Sequence, residues 1–350
     1  MSRSAYLLLL GLTSRGLFPS NHEPTGVVFR SDVSLVRVDV QVVDHNNRSI
    51  TGLNADDFVL REQGHPQQIC NFAREDMPVD LLFLFDVSGS MQPHVKRVAS
   101  AAHEALRGLG DNDRVAIMVF ERTMRLRMPF RNSRQDIDLE LDNMIRQEPF
   151  HGGTDITRAL VVAASYLEVQ ARHGARRAIV ILTDDQTDCG REDAVVSGAL
   201  EKANVVLSAL IVPDQIATRT ASQGRLGGPL DGIILGTQSA GTSEIARQSG
   251  GDSLPADDAS ALSTTLAHLR QRYALHFHSP PDAKSGEVRS IDVQLAEAVR
   301  RRYPDAELCF RRTYVSSNRS TDSGDGSPPF SAVPQSPTDP VAQPQHLKPR

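Results

Sequence analysis

From Asp80 onward the chain alternates short apolar runs with amphipathic segments, and this alternation constrains its fold more than any other feature. Three of the runs are almost free of polar side chains, at residues 81–85, 178–182 and 205–212. Such strands are buried on both faces, as the central strands of a parallel sheet are. The amphipathic segments repeat apolar residues at helical spacing, so we expect helices to cover the sheet. The sequence therefore predicts an α/β domain with a mostly parallel sheet.

Helices are predicted near residues 95–106, 137–145, 159–167 and 258–273, where apolar side chains recur every three or four positions. Residues 124–128 instead alternate apolar side chains with Arg125 and Arg127, which is a strand pattern of period two. We expect an edge strand there, with both arginines facing water and discouraging pairing with another sheet.

The segments on either side of this domain have a different, strand-rich pattern. Before Pro78, residues 36–42 alternate valines with polar residues, and residues 58–60 form a second extended run. After residue 273 similar strand-like runs return as far as residue 315. We therefore predict that residues 28–77 and 274–315 form one small β domain, into which the α/β domain of residues 78–273 is inserted.

Both ends of the chain and one internal connection lack the strand and helix patterns of the two predicted domains. Residues 1–27 contain Arg3 and a short apolar run, which suggests an export leader and favours a periplasmic or secreted location; a frayed start of a cytoplasmic protein is the alternative. Residues 316–350 hold seven prolines among small polar residues and are predicted to be a disordered tail. The connection 213–241 is too long for an ordinary turn, so we expect a surface insertion or a mobile loop there.

Composition excludes several classes of function. With 38 Lys and Arg against 43 Asp and Glu, the chain has a formal charge of −5 and no dense basic block, so nucleic acid is not expected as a partner. No apolar run approaches the roughly 20 residues of a membrane-spanning helix. The cysteines show no paired spacing that would indicate zinc. Cys70 and Cys309 could form a bridge within the β domain, and Cys189 is expected to be a free thiol.

Oxygen-bearing side chains follow the predicted strands at the edge where ligands collect in open α/β sheets. The sequence Asp-Val-Ser-Gly-Ser comes directly after the first apolar run, a Gly-Gly-Thr-Asp loop precedes a helix, and an aspartate closes another strand. The resulting set is Asp86, Ser88, Ser90, Thr154 and Asp184. Two carboxylates and three hydroxyls favour a hard cation, and Mg²⁺ or Mn²⁺ suits them better than Ca²⁺ or Zn²⁺.

A purely local role is the alternative for the first of these segments. Ser and Asp are favoured at helix N-caps and in turns, so the Asp86 segment alone could simply begin the next helix. The matching positions of Thr154 and Asp184 favour the metal site over that explanation. We expect Asp155 to be a charge at a helix start and Asp185 a loop carboxylate.

Together these segments resemble the von Willebrand factor type A domain and its metal-ion-dependent adhesion site. Including the flanks, the chain is similar to the bacterial VWFA-related proteins frequent in Acidobacteria. The resemblance implies a Rossmann-like sheet with an antiparallel edge strand at residues 124–128, and recognition of a protein ligand whose Asp or Glu carboxylate completes the metal shell. Asp185 stands where the family usually has Gly, and Asp188 follows closely; their charges would strengthen cation binding and weaken attraction for an acidic partner.

Three functions remain open at this point. The first is a non-enzymatic protein-binding module that uses Mg²⁺. The second is a scaffold with a vestigial metal site, assembling through the edge strand or the 213–241 connection. The third is a Mg²⁺-dependent phosphohydrolase, which is disfavoured because Ser88 stands where such enzymes need a second carboxylate.

Overall fold

The structure is a computed structural model, and it describes residues 34–74, 77–212, 238–258 and 260–316. For residues 95, 96, 98 and 99 only the backbone is described. The predicted leader, residues 213–237 of the long connection and the tail beyond residue 316 lie outside the described residues.

The strands are, in chain order, β1 Leu35–Val43, β2 Phe58–Glu62, β3 His65–Gln67, β4 Asn71–Ala73, β5 Val79–Asp86, β6 Arg114–Phe120, β7 Met124–Arg131, β8 Arg176–Thr183, β9 Gln186–Thr187, β10 Val205–Ile211, β11 Gln238–Ser239, β12 Ser253–Pro255, β13 Tyr273–His278, β14 Val288–Leu295, β15 Glu307–Cys309 and β16 Thr313–Val315. The α-helices are α1 Val95–Leu106, α2 Arg134–Gln147, α3 Ile156–Gln170, α4 Asp193–Ala203, α5 Thr242–Gln248, α6 Ala261–Arg270 and α7 Glu297–Arg302.

A six-stranded sheet with the order β12-β10-β8-β5-β6-β7 forms the centre of the α/β unit. All neighbouring strands in it are parallel except β7, which pairs antiparallel with β6 at the edge. The predicted α/β fold with a mostly parallel sheet is confirmed, and the edge strand lies where the sequence predicts it. Every residue of β5 is buried, as its nearly continuous apolar sequence requires.

Helices cover both faces of this sheet. Because successive side chains of a strand point to opposite faces, Leu81 and Phe83 of β5 pack with α1, α2 and α6, whereas Leu82 and Leu84 pack with α3, α4 and α5. The loops that follow β5 and β8 begin at the carboxyl ends of these strands.

The segments before and after the α/β unit pair with each other in two four-stranded sheets, of order β15-β1-β13-β4 and β16-β14-β2-β3. β1 runs antiparallel to β13, and β2 runs antiparallel to β14. Side chains from both sheets share one apolar cluster, which includes Val38, Phe277 and Val293.

The arginines of the edge strand do not simply face water, so that part of the prediction is wrong. Arg125 and Arg127 both form ion pairs with Glu148, whose side chain is fully buried just after α2, and Arg127 also pairs with Glu140. The burial of Glu148 makes a cationic partner necessary, because an unpaired carboxylate away from water is costly.

Each of the three cysteines is a free thiol, so the bridge considered between Cys70 and Cys309 does not form. Cys309 lies on β15 beside β1, whereas the Cys70 backbone bonds to the far side of that sheet, at His276 of β13. None of the helices in the described part of the chain has the length and apolar character that crossing a bilayer requires.

Candidate metal site

The loop after β5 holds three of the predicted ligands. Asp86 is 2% exposed; its Oδ1 accepts a hydrogen bond from the Ser88 backbone N–H (2.9 Å) and its Oδ2 accepts one from Thr183 Oγ1 (2.7 Å). The hydroxyl oxygens of Ser88 and Ser90 lie 3.1 Å apart. Neither Ser88 at the short 3-10 turn Gly89–Met91 nor the residue that precedes α1 makes a side-chain capping bond. The segment therefore makes no side-chain N-cap, but the Asp86–Ser88 hydrogen bond is a turn contact that the local alternative also allows.

Asp184 lies at the end of β8, the strand adjacent to β5. Its Oδ1 accepts a hydrogen bond from the Gln186 backbone N–H (3.1 Å), and its charge acts on both Asp86 and His94. Asp184 therefore lies close enough to Asp86 and His94 for its charge to act on both, at the carboxyl ends of β5 and β8. His94 is buried there; its burial, together with Arg97, lowers the pKa of its imidazole.

Thr154 lies in the loop that leads into α3 and is buried. Its carbonyl accepts a hydrogen bond from Thr187 Oγ1 (2.9 Å), in the loop after β8. The same α3 loop is joined to the loop after β5, because the His151 backbone N–H donates to the Val87 carbonyl (3.2 Å). The three loops that carry the predicted ligands are thus neighbours that bond to one another.

Asp86 is a buried carboxylate to which no described side chain supplies a counter-charge. Burial raises the pKa of Asp86 to about 7, and the charge of Asp184 acts in the same direction, against the hydrogen bonds from Ser88 and Thr183. Each other buried acidic side chain that the structure describes has an ion-pair partner: Asp252 pairs with the imidazole of His268, which is charged only when protonated, and arginines pair with Asp39, Glu62, Asp80, Asp113 and Glu148. Among the side chains that the structure describes, which do not include that of Lys96, no basic group forms an ion pair with Asp86 or Asp184.

The donor set fits a hard cation better than a soft one. No group of three or more His, Cys, Asp or Glu side chains that could hold a metal occurs among the described residues. Of the five predicted ligands only Asp86 and Asp184 are of these types, so any metal there would depend on hydroxyl oxygens as well. An all-oxygen set with two carboxylates suits Mg²⁺ or Mn²⁺.

The extra acidic residues near the site bond to groups of the protein itself. Asp185 has a left-handed backbone (φ 61°), which Asp tolerates better than most residues and which explains why Gly would also suit this position. Its carboxylate accepts hydrogen bonds from Ser239 Oγ (2.6 Å) and from the Thr242 N–H at the start of α5 (3.0 Å). Asp155 is the N-cap of α3, as expected of a charge at a helix start, and accepts from the Arg158 N–H.

Beside the site lie Asp188, which the sequence analysis treats only as an added charge, and Arg122, which it did not assign. Asp188 accepts a hydrogen bond from the Thr154 backbone N–H (2.9 Å), and its other carboxylate oxygen accepts from Arg122 Nε (3.0 Å). Hydrogen bonding from Arg122 lowers the pKa of Asp188. The sequence signals an acidic residue after β8, but nothing in it indicates that Arg122, 66 positions earlier, is the partner.

Part of the chain is similar to a known family of domains. The family model described as von Willebrand factor type A domain matches residues 81–186. Among solved structures, an aerotolerance-related membrane protein from Bacteroides fragilis is 21% identical over 55% of this chain and 98% of its own, with a TM-score of 0.43. The conserved hypothetical protein BatB from Bacteroides thetaiotaomicron is 23% identical over 38% of this chain and 66% of its own (TM-score 0.34).

Proximal thread matrix protein 1 from the mussel byssus is 16% identical over 57% of this chain and 48% of its own (TM-score 0.39). Among curated proteins, no sequence matches this chain significantly. The family match covers β5 from its third residue onward, the loop of Asp86, the loop of Thr154 and β8. The chain therefore contains a von Willebrand factor type A domain, of which residues 81–186 are the matched part.

Proposed function

We propose that this protein is a non-enzymatic protein-binding module that holds Mg²⁺, or Mn²⁺, at the carboxyl edge of its central sheet. The family points to a protein-interaction module. In the proposal the ligands are Asp86, Ser88, Ser90, Thr154 and Asp184, and an Asp or Glu carboxylate of a protein partner completes the metal shell. When bound, the metal supplies a positive charge with a vertex open to that carboxylate.

The observation that carries the proposal is that no described side chain supplies a counter-charge to Asp86. Five other buried acidic residues pair with arginines, so this fold regularly compensates a buried carboxylate. At Asp86 a divalent cation would supply that compensation, and it would also offset the charge of Asp184. Hydrogen bonds from Ser88 and Thr183 hold the Asp86 carboxylate in place, so it could coordinate a cation without first changing its own position.

The charges around the site are compatible with an acidic partner. Asp188 is neutralised by Arg122, and Asp185 bonds to Ser239 and to the start of α5. Their carboxylates therefore repel an approaching Asp or Glu less than two free charges would. Arg122 is also 66% exposed, so a positive group is accessible at the rim.

We further propose that residues 28–77 and 274–315 form one β domain that serves as a mount for the α/β domain of residues 78–273. The antiparallel pairing of β1 with β13 and of β2 with β14 supports this arrangement, as does their shared apolar cluster. A fully buried guanidinium at the base of β8 supports it as well. Arg176 pairs with Asp39 of β1 and donates to the Arg272 carbonyl just before β13.

Affinity capture from cells of the source organism tests the binding function. The full chain is used as bait with Mg²⁺ and again with EDTA, beside the variant Thr154→Ala and the control Glu104→Ala, which removes only an exposed ion pair on α1. We expect proteins that are captured in Mg²⁺ by the wild type and the control, and lost with EDTA or Thr154→Ala.

Two outcomes would contradict the proposal. Partners retained in EDTA, with metal-independent self-association in sedimentation, would favour the scaffold alternative. Release of phosphate from p-nitrophenyl phosphate in Mg²⁺, abolished by Asp86→Asn, would make the protein a phosphohydrolase.

A further inference from the structure

Asp188 connects three loops around Thr154. Its Oδ1 accepts a hydrogen bond from the Thr154 N–H (2.9 Å), and its own N–H donates to the Thr154 carbonyl (3.2 Å). Its Oδ2 accepts from Nε of Arg122 (3.0 Å), with a second, shorter contact from Nη2. Arg122 lies in the turn between β6 and β7, so the turn, the α3 loop and the loop after β8 meet at one carboxylate.

Gly153 leaves the space that this carboxylate occupies. A Cβ atom at Gly153 would lie 2.0 Å from Asp188 Oδ2 and 2.9 Å from Arg122 Nε. Non-bonded atoms do not approach this closely, so any side chain at Gly153 would displace the Asp188 carboxylate. Gly153 therefore suits this position because the Asp188 carboxylate lies so close to its Cα, and not because of its backbone angles.

We propose that Asp188, held by Arg122, is a positioning residue that fixes Thr154 at the candidate metal site; this rests on the proposed function. Both backbone polar groups of Thr154 are hydrogen-bonded. Its N–H donates to the Asp188 carboxylate, and its carbonyl accepts from the Asp188 N–H and from Thr187 Oγ1. With its backbone fixed, the Cβ atom that carries the Thr154 hydroxyl keeps one position relative to the loop after β8. Groups that orient metal ligands in this way commonly contribute 10- to 100-fold in metal affinity.

A double-mutant cycle for Mg²⁺ binding tests the assignment. The full chain is titrated with Mg²⁺ as wild type, Asp188→Ala, Gly153→Ala and the double variant. We expect each single variant to raise the Kd for Mg²⁺ by roughly 10- to 100-fold. The double variant should be no weaker than Asp188→Ala alone, because removing the carboxylate removes the main obstacle to the alanine Cβ, and non-additivity is the sign of a shared mechanism.

The control is Glu104→Ala, which removes an exposed Glu–Arg ion pair on α1 and should leave the Kd unchanged. Unfolding midpoints in EDTA are measured for all variants, since a general loss of structure would lower them. Wild-type affinity in Asp188→Ala, or additive losses in the double variant, would overturn the assignment.

Amide hydrogen exchange of the peptide containing Thr154 separates this inference from the proposed function. If the wild type does not bind Mg²⁺, the proposed function fails, and the positioning role is judged by exchange alone. We expect protection of the Thr154 segment in the wild type and in Glu104→Ala, and faster exchange in Asp188→Ala. Equal exchange in Asp188→Ala and the wild type would show that Asp188 does not hold the loop.

Discussion

Replacing Asp86 by asparagine should stabilise the metal-free protein, because it removes a buried charge that has no counter-charge. Asparagine keeps the shape of the side chain, and it can still accept from the Ser88 N–H and bond to the Thr183 hydroxyl. In the native protein burial raises the pKa of Asp86 from 3.8 to about 7. At 1.36 kcal/mol per pKa unit, ionisation of Asp86 above pH 7 costs up to about 4 kcal/mol of folding free energy.

The pH dependence has a definite sign. Below pH 4 the carboxyl is protonated in both the folded and the unfolded chain, so it has no effect on stability. Between about pH 4 and pH 7 the folded chain binds the additional proton, and stability decreases as pH rises. Above pH 7 the full penalty is present, and Asp86→Asn is free of it. We therefore expect the gain from the substitution to increase between pH 4 and pH 7.

Asp80 is the matched control, since it is a buried aspartate at the other end of the same strand β5. It is bound by Arg114 (2.6 Å) and Arg172 (2.6 Å), and hydrogen bonds from these arginines lower its pKa against the effect of burial. Asp80→Asn should destabilise the protein by about 3 kcal/mol, because it breaks a buried ion pair.

Urea unfolding in EDTA at pH 8 measures both effects. The expected result is opposite signs, with Asp86→Asn more stable than the wild type by about 2 to 4 kcal/mol. If Asp86→Asn is equally or less stable than the wild type in EDTA, the reasoning about the missing counter-charge is refuted.

Three further results are expected. Mg²⁺ at about 100 times its Kd should stabilise the wild type by about 2.7 kcal/mol in thermal unfolding and Asp86→Asn not at all; equal shifts would place the ion elsewhere. Glu148→Gln should lower the urea unfolding free energy by about 2 kcal/mol, because Arg125 and Arg127 lose a buried charged acceptor, and an unchanged midpoint would contradict this. All three cysteines should be alkylated by iodoacetamide in denaturant without reductant, and a protected pair seen by mass spectrometry would show a bridge.

The sequence was sufficient for the fold of the α/β unit because local patterns determine it. Apolar runs such as that of β5 define buried strands, and the alternation around Arg125 identifies the edge strand, since each pattern depends only on neighbouring residues. The same local information was misleading for the surroundings of Arg125. Its partner Glu148 is 23 positions away, and only the packing of α2 against the edge strand brings them together.

The candidate site shows the same limit. The five proposed ligands could be chosen because parallel strands end at one edge of a sheet, which is a property of the fold class. The positions of Asp185 and Asp188 could not be chosen in that way. Both carboxylates bond to residues that are distant in the sequence. The sequence alone therefore predicts two added negative charges at the site, whereas in the folded protein these carboxylates have partners.

Isothermal titration calorimetry of the full chain with Mg²⁺ tests the central claim most directly. The account predicts one Mg²⁺ per chain for the wild type and for Glu104→Ala, and no measurable binding for Asp86→Asn or for Ser88→Ala combined with Thr154→Ala. Wild-type affinity in Asp86→Asn, with its fold confirmed by circular dichroism, would contradict the account.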